Sequence, residues 1–194
     1  MDILDNSGAG PEKKWTSRKL DLHPGHTWTA RPGCQVFVAG RGAVRFDIPR
    51  GWAIVPDADS LKIYNKQPPA DDCRLAVSYI QPPKEWSAIP IATVVEAATA
   101  GPGDGPVRRW GPIATERRDD LEIGWREAAF DDPVGKREAR SRLAIGRRLH
   151  IQCLITFDYW PSDAAWCLPH WDTALATLDL ARYIDDPTRG PAAT

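Results

Sequence analysis

The stretch Val44 to Val55, VRFDIPRGWAIV, limits the fold of this chain more than any other. Val44, Phe46 and Ile48 alternate with Arg45 and Asp47, the two-residue period of a strand with one apolar face and one face able to meet solvent. Pro49 fixes a backbone angle, Gly51 permits a turn, and Trp52 and Ile54 resume the alternation. The pattern predicts a sheet corner. It carries no chemistry of its own.

Around that corner the chain reads as one folded unit with loose ends. Its 194 residues can bury one good core and are few for two domains. The expected division is a flexible amino-terminal arm over residues 1–19, with Trp15 docking on the body, a single domain over 20–184, and a loose tail over 185–194. A formal charge of −1 supplies no global field for nucleic acid or an anionic membrane. No apolar run approaches the roughly 18 to 20 residues of a membrane-spanning helix. The amino terminus, MDILDNSGAGPEKK, carries acids where a secretory leader carries basic residues. These features predict a soluble, cytoplasmic protein. Cys34, Cys73, Cys153 and Cys167 lie far apart with no CxxC pair, as expected of small, buried thiols in a reducing compartment.

Strands are predicted at Gln35–Ala39, Leu61–Tyr64 and Arg74–Ile80, the last apolar enough to suggest a central strand covered on both faces. A helix is predicted from about 90 to 100, with Pro90 in its first turn and Gly101 as its left-handed cap. A meander follows. Leu121–Phe130 and Arg137–Ile145 flank a turn at Asp131–Gly135, and Arg148–Phe157 follows a tight turn at Gly146 and Arg147. That second turn leaves a register conflict, which a bulge or a sheet packed on both sides would resolve. A final helix runs from about Ser162, as N-cap, to Leu178. The fold class is α+β: a mainly antiparallel sheet of about six or seven strands with helices packed on it.

Candidate sites are few. His23 and His26 in HPGH could share a metal only if Asp or Glu joined them, so no metal or cofactor is expected. Arg126, Arg140 and Arg142 could form a basic patch for phosphate or carboxylate, although the acids on the same hairpin make cross-strand ion pairing the plainer reading. Paired carboxylates fall in turns, and no nucleophile elbow or phosphate loop is present. Tyr159, Trp160 and Trp166 stand at a strand-to-helix junction, where aromatic rings either anchor a partner or pack the helix on the sheet.

The motif FDIPRGW at Phe46 to Trp52, the mid-chain helix, the long meander and the strand HIQCLITF before the last helix together resemble the PsbP-like superfamily over roughly residues 35–180. That family is an α/β/α sandwich shared by PsbP, the Ran-binding Mog proteins and many bacterial proteins of unassigned role. The resemblance implies the sandwich fold and a bias toward binding other proteins over catalysis. None of the family's metal or Ran contacts carries over to a residue here, and the tryptophan load departs from the pattern. The expected function is a non-enzymatic accessory domain that binds an unidentified protein partner through Trp160, Trp166 and Tyr159. The alternative is a small-molecule or anion binder using Arg126, Arg140 and Arg142. Nucleic acid and membrane are not expected as partners, and self-association is left open.

Overall fold

Alternating side chains build two sheets, and the chain passes from one to the other at the corner around Pro49–Gly51. A computed structural model describes residues 2–5, 16–100 and 107–190. The smaller sheet contains β1 (Asp2–Asp5), β2 (Thr16–Lys19), β3 (Cys34–Ala39), β4 (Val44–Pro49) and β13 (Asp179–Leu180), in the order β13–β4–β3–β1–β2. Only β1 and β3 run parallel within it. The larger sheet contains β5 (Ala53–Pro56), β6 (Leu61–Tyr64), β7 (Cys73–Ile80), β8 (Val107–Trp110), β9 (Ala114–Arg118), β10 (Leu121–Asp131), β11 (Glu138–Arg148) and β12 (Ile151–Tyr159). It is antiparallel throughout, in the order β5–β6–β7–β12–β11–β10, with β8 and β9 following one another along the outer edge of β10. Eight strands thus stand where six or seven were expected, because Gly111, Pro112 and Ile113 break one edge strand into two.

The core lies between the two sheets and α2 (Ala164–Ala176). Phe37 and Phe46 pair from neighbouring strands with ring centroids 4.6 Å apart, and Phe157 meets Trp171 of α2 at 6.0 Å. All four side chains are fully buried, each contributing roughly 1.5 to 3 kcal/mol by leaving water. Arg118 of β9 donates from both terminal nitrogens to the Leu175 and Ala176 carbonyls, satisfying the open end of α2. On the opposite face of the larger sheet sits α1 (Ile91–Thr99), seated on Gly124: a Cβ there would stand 2.9 Å from Val95 Cγ2.

Several expectations change. Gly146 is not a turn residue but lies inside β11, where a Cβ would crowd Cys153 and Leu178 at 3.0 Å. The turn is Leu149–His150, with Arg148 facing Ile151, and this removes the register conflict without a bulge. The polar face of β4 does not meet solvent. Asp47 is 1% exposed, ion-paired to Arg45 at 2.7 Å and accepting the Arg31 N–H at 2.8 Å, beneath a cover formed by Trp28 and Ile184. That cover comes from the two ends of the chain. Trp28 Nε1 donates to Pro187 O and Thr27 N to Arg189 O, so the tail packs as far as residue 190. Residues 2–5 and 16–19, within the stretch read as an arm, pair as strands; Trp15 and Gly101 lie outside the described residues. Ser162 and Asp163 fall in a short 3-10 turn ahead of α2 and make no side-chain cap. In β7, Cys73, Leu75 and Val77 are buried while Arg74, Ala76, Ser78 and Ile80 are half-buried or exposed, so this strand is fully covered on one face only.

Candidate functional site

The partly covered face of β7 belongs to a larger area that, among the described residues, α1 is too short to cover. Nine helical residues span about 13 Å, against about 37 Å for the eleven residues of β10. At its end Thr99 Oγ1 accepts from Arg126 Nη1 at 3.1 Å, and beyond Arg126 none of the described helices lies on the sheet face. There the cross-strand pairs are small: Ala128 faces Ser141 and Phe130 faces Ala139. The surface sinks into a half-open groove of about 500 Å³.

Trp110 and Phe130 wall the groove on the β8 side, and Trp160 stands at the start of the junction into α2. A polar cluster completes it. Arg74 donates from Nε (3.1 Å) and Nη2 to Asp158 Oδ2, and Ser141 Oγ donates to Asp158 Oδ1 at 2.6 Å. Both rings that close the groove already carry a guanidinium: Arg126 lies 4.8 Å from the Trp110 ring centre and Arg137 lies 3.6 Å from that of Trp160. The arrangement offers flat apolar surface beside a fixed charge pair, which suits holding a chain segment.

The expected site residues divide. Trp160 lines the groove. Trp166 stands on α2, which packs on the other face of the sheet; it is 40% exposed and edge-on to His170 at 6.1 Å, with His170 edge-on to Trp52 at 5.2 Å. Burial holds the His170 imidazole below its usual range. Tyr159 is a core residue, 5% exposed, whose hydroxyl donates to Glu127 Oε2 at 2.6 Å. Burial first, and then the Glu127 charge, push that phenol upward.

The three arginines do not gather. Arg140 and Arg142 share a face, but Arg126 faces Leu143 across the ladder and therefore points to the opposite side of the sheet. Arg142 Nε donates to Glu127 Oε2 at 2.8 Å, and Arg140 Nη1 lies 3.5 Å from Glu127 Oε1. Burial would raise the Glu127 carboxyl, yet the bonds from Arg142 and Tyr159 outweigh it and hold the group below its usual range. The hairpin acids thus engage the basic side chains as ion-pair partners. His23 and His26 sit by a second hollow of about 520 Å³ with Asp185 and Asp186, and no group of three ligating side chains converges among the described residues. The four cysteines are free, with burial pushing Cys153 up to about 12 and Cys167 up to about 11.

The sequence reading missed Trp110, Phe130 and the Arg74–Asp158–Ser141 cluster. The signal was present as polar residues at alternating positions in otherwise apolar strands, Arg74 in RLAVSYI and Asp158 in ITFDY, and as the small residues in EAAF.

Two sheets with α1 on one side and α2 on the other make an α+β fold similar to that of PsbP. Cyanobacterial PsbP (CyanoP) from Synechocystis sp. PCC 6803, a solution structure, aligns with a TM-score of 0.52 at 12% identity over 78% of this chain and 94% of that one. A crystal structure from Bacteroides thetaiotaomicron VPI-5482 aligns with a TM-score of 0.53 at 13% identity over 72% of this chain; this chain spans 45% of that one. Within that fold, the chain belongs to the Alr1449 family, whose model matches residues 35–184. A relative from Nostoc sp. (strain PCC 7120), described as uncharacterized protein alr1449, is 40% identical over 181 residues, 92% of this chain and 94% of the relative. Among the described residues no helix is long and apolar enough to cross a membrane.

Proposed function

We propose that this protein is a non-enzymatic accessory domain that holds a segment of a protein partner in the groove between Trp110 and Trp160. The observation that carries the reading is the half-open, aromatic-walled groove on a sheet face that α1 leaves bare. Sites for small molecules are typically enclosed enough to bury most of their ligand. A half-open groove suits a chain segment whose remainder lies outside it. Aromatic anchors in such a setting carry much of the energy of protein recognition. A cytoplasmic location belongs to the same reading and is supported by the four free cysteines.

Selection from a displayed random-peptide library tests it. The expected result is a set of peptides that bind the native protein and the Leu149→Ser control, which alters an exposed turn at the far end of the β11–β12 hairpin, but lose at least about tenfold in affinity on Trp110→Ala or Trp160→Ala. Selected peptides indifferent to both tryptophans would refute the assignment of the groove.

A further inference from the structure

The groove also has a charge pattern, and resting on the reading above, the geometry points to a basic segment, one presenting an arginine or lysine side chain, as its occupant. Four carboxylates line the groove, those of Asp71, Asp72, Asp132 and Asp158, against the single guanidinium of Arg74. Arg74 is committed to Asp158. At the rim Lys66 pairs with Asp72 at 2.7 Å. Asp132 Oδ1 accepts backbone N–H groups from Val134 and Gly135, and neither Asp132 nor Asp71 has an ion-pair partner among the described residues. Asp71 and Asp132 therefore face the groove without an ion-pair partner, and with Arg137 acting on Asp72 from over Trp160 the surroundings of the groove remain net negative.

The aromatic walls favour the same sign. Arg137 lies over Trp160 and makes no ion pair among the described residues, so the indole holds a guanidinium by its ring alone. Trp110 also lies against a guanidinium, that of Arg126, whose donors go to Gly111 O and Thr99 Oγ1. Neither of these arginines lines the groove. An incoming cation would meet the remaining indole surface and two carboxylates without ion-pair partners, while its aliphatic stem lay along Val107, Phe130 and Leu143. An acidic segment would meet repulsion from the same carboxylates.

Three blocked pentapeptides test this, each with a central residue flanked by alanines: arginine, its neutral isostere citrulline, or glutamate. Titration would be followed by calorimetry and tryptophan fluorescence. The expected result is binding of the arginine peptide at least about tenfold tighter than the citrulline one, with no response to the glutamate peptide. Binding should weaken in 1 M salt, where screening acts within about 3 Å. Asp71→Asn should cost roughly threefold and Trp160→Ala about tenfold. Should Trp160→Ala fail to fold by circular dichroism, the citrulline comparison and Asp71→Asn decide. Equal binding of the arginine and citrulline peptides, or no binding of the arginine peptide, would overturn the basic-segment inference. The groove itself would stand if library peptides still depend on Trp110 and Trp160. Loss of that dependence as well would remove both.

Discussion

Asp47 is the residue whose surroundings differ most from what its sequence position suggests. By period alone it belongs on the solvent side of β4, and in a two-sheet protein with bare outer faces it would lie there. Instead Trp28 and Ile184 cover that face, and Asp47 is held by Arg45 and by the Arg31 N–H while its own backbone N–H donates to Thr177 Oγ1 at 2.9 Å. A paired charge at this depth gains from its partner about what it loses in hydration, but breaking the pair leaves Arg45 buried with the Thr29 and Thr177 carbonyls and the Trp28 ring and no counter-charge from Asp47. Asp47→Ala is expected to lower stability by about 3 kcal/mol, measured by urea denaturation at neutral pH. A loss under about 1 kcal/mol, the range of an exposed pair, would mean that the cover opens readily. Local alternation records which side chains share a face; whether that face is covered depends on residues far away in the chain.

At the scale of elements, the position of α1 is the decisive feature, since the groove begins where that helix ends. Gly124 fixes the seat. A methyl group there would stand 2.9 Å from Val95 Cγ2 and 3.2 Å from Ile91 Cγ1. In an unobstructed strand a glycine-to-alanine change adds strand propensity and stabilises. Here overpacking should win, and Gly124→Ala is expected to cost roughly 1 to 3 kcal/mol. Val95→Ala in the same chain should restore part of the loss, since it removes the obstructing methyls. Thermal denaturation of the single and double variants would check this, and an increase in stability for Gly124→Ala alone would show that α1 is not tightly seated. The strands themselves were legible in the sequence because each has a period of two, and β10, β11 and β12 stand within a few residues of their predicted ranges. The helix at 90 to 100 was legible from its spacing and from Pro90. The turn after β11 was misplaced because Gly146 is the usual turn residue, whereas here its missing side chain makes room for Cys153 and Leu178 and the turn falls to Leu149, with φ of 50°. Nothing in the chain's local pattern assigns FDIPRGW to a second sheet, since sheet membership is settled by pairing between distant strands.

Over the whole molecule, the division of labour follows from coverage. One face of the larger sheet is sealed by α2 and the smaller sheet, which accounts for Trp171, Tyr159 and the Glu127–Arg140–Arg142 group as structural residues. The other face is sealed only in part by α1, and it carries the groove with aromatic walls and acidic lining. This separates Trp160 from Trp166, which the sequence placed together because only five residues lie between their positions in the chain. The most direct test uses the indole N–H signals of the ¹⁵N-labelled protein, titrated with a peptide chosen by library selection on the native protein. The account expects Trp110 and Trp160 to shift, with Trp28, Trp166 and Trp171 unmoved. Shifts confined to Trp166 and Trp52, on the α2 side, would contradict it and move the binding surface to the opposite face of the sheet.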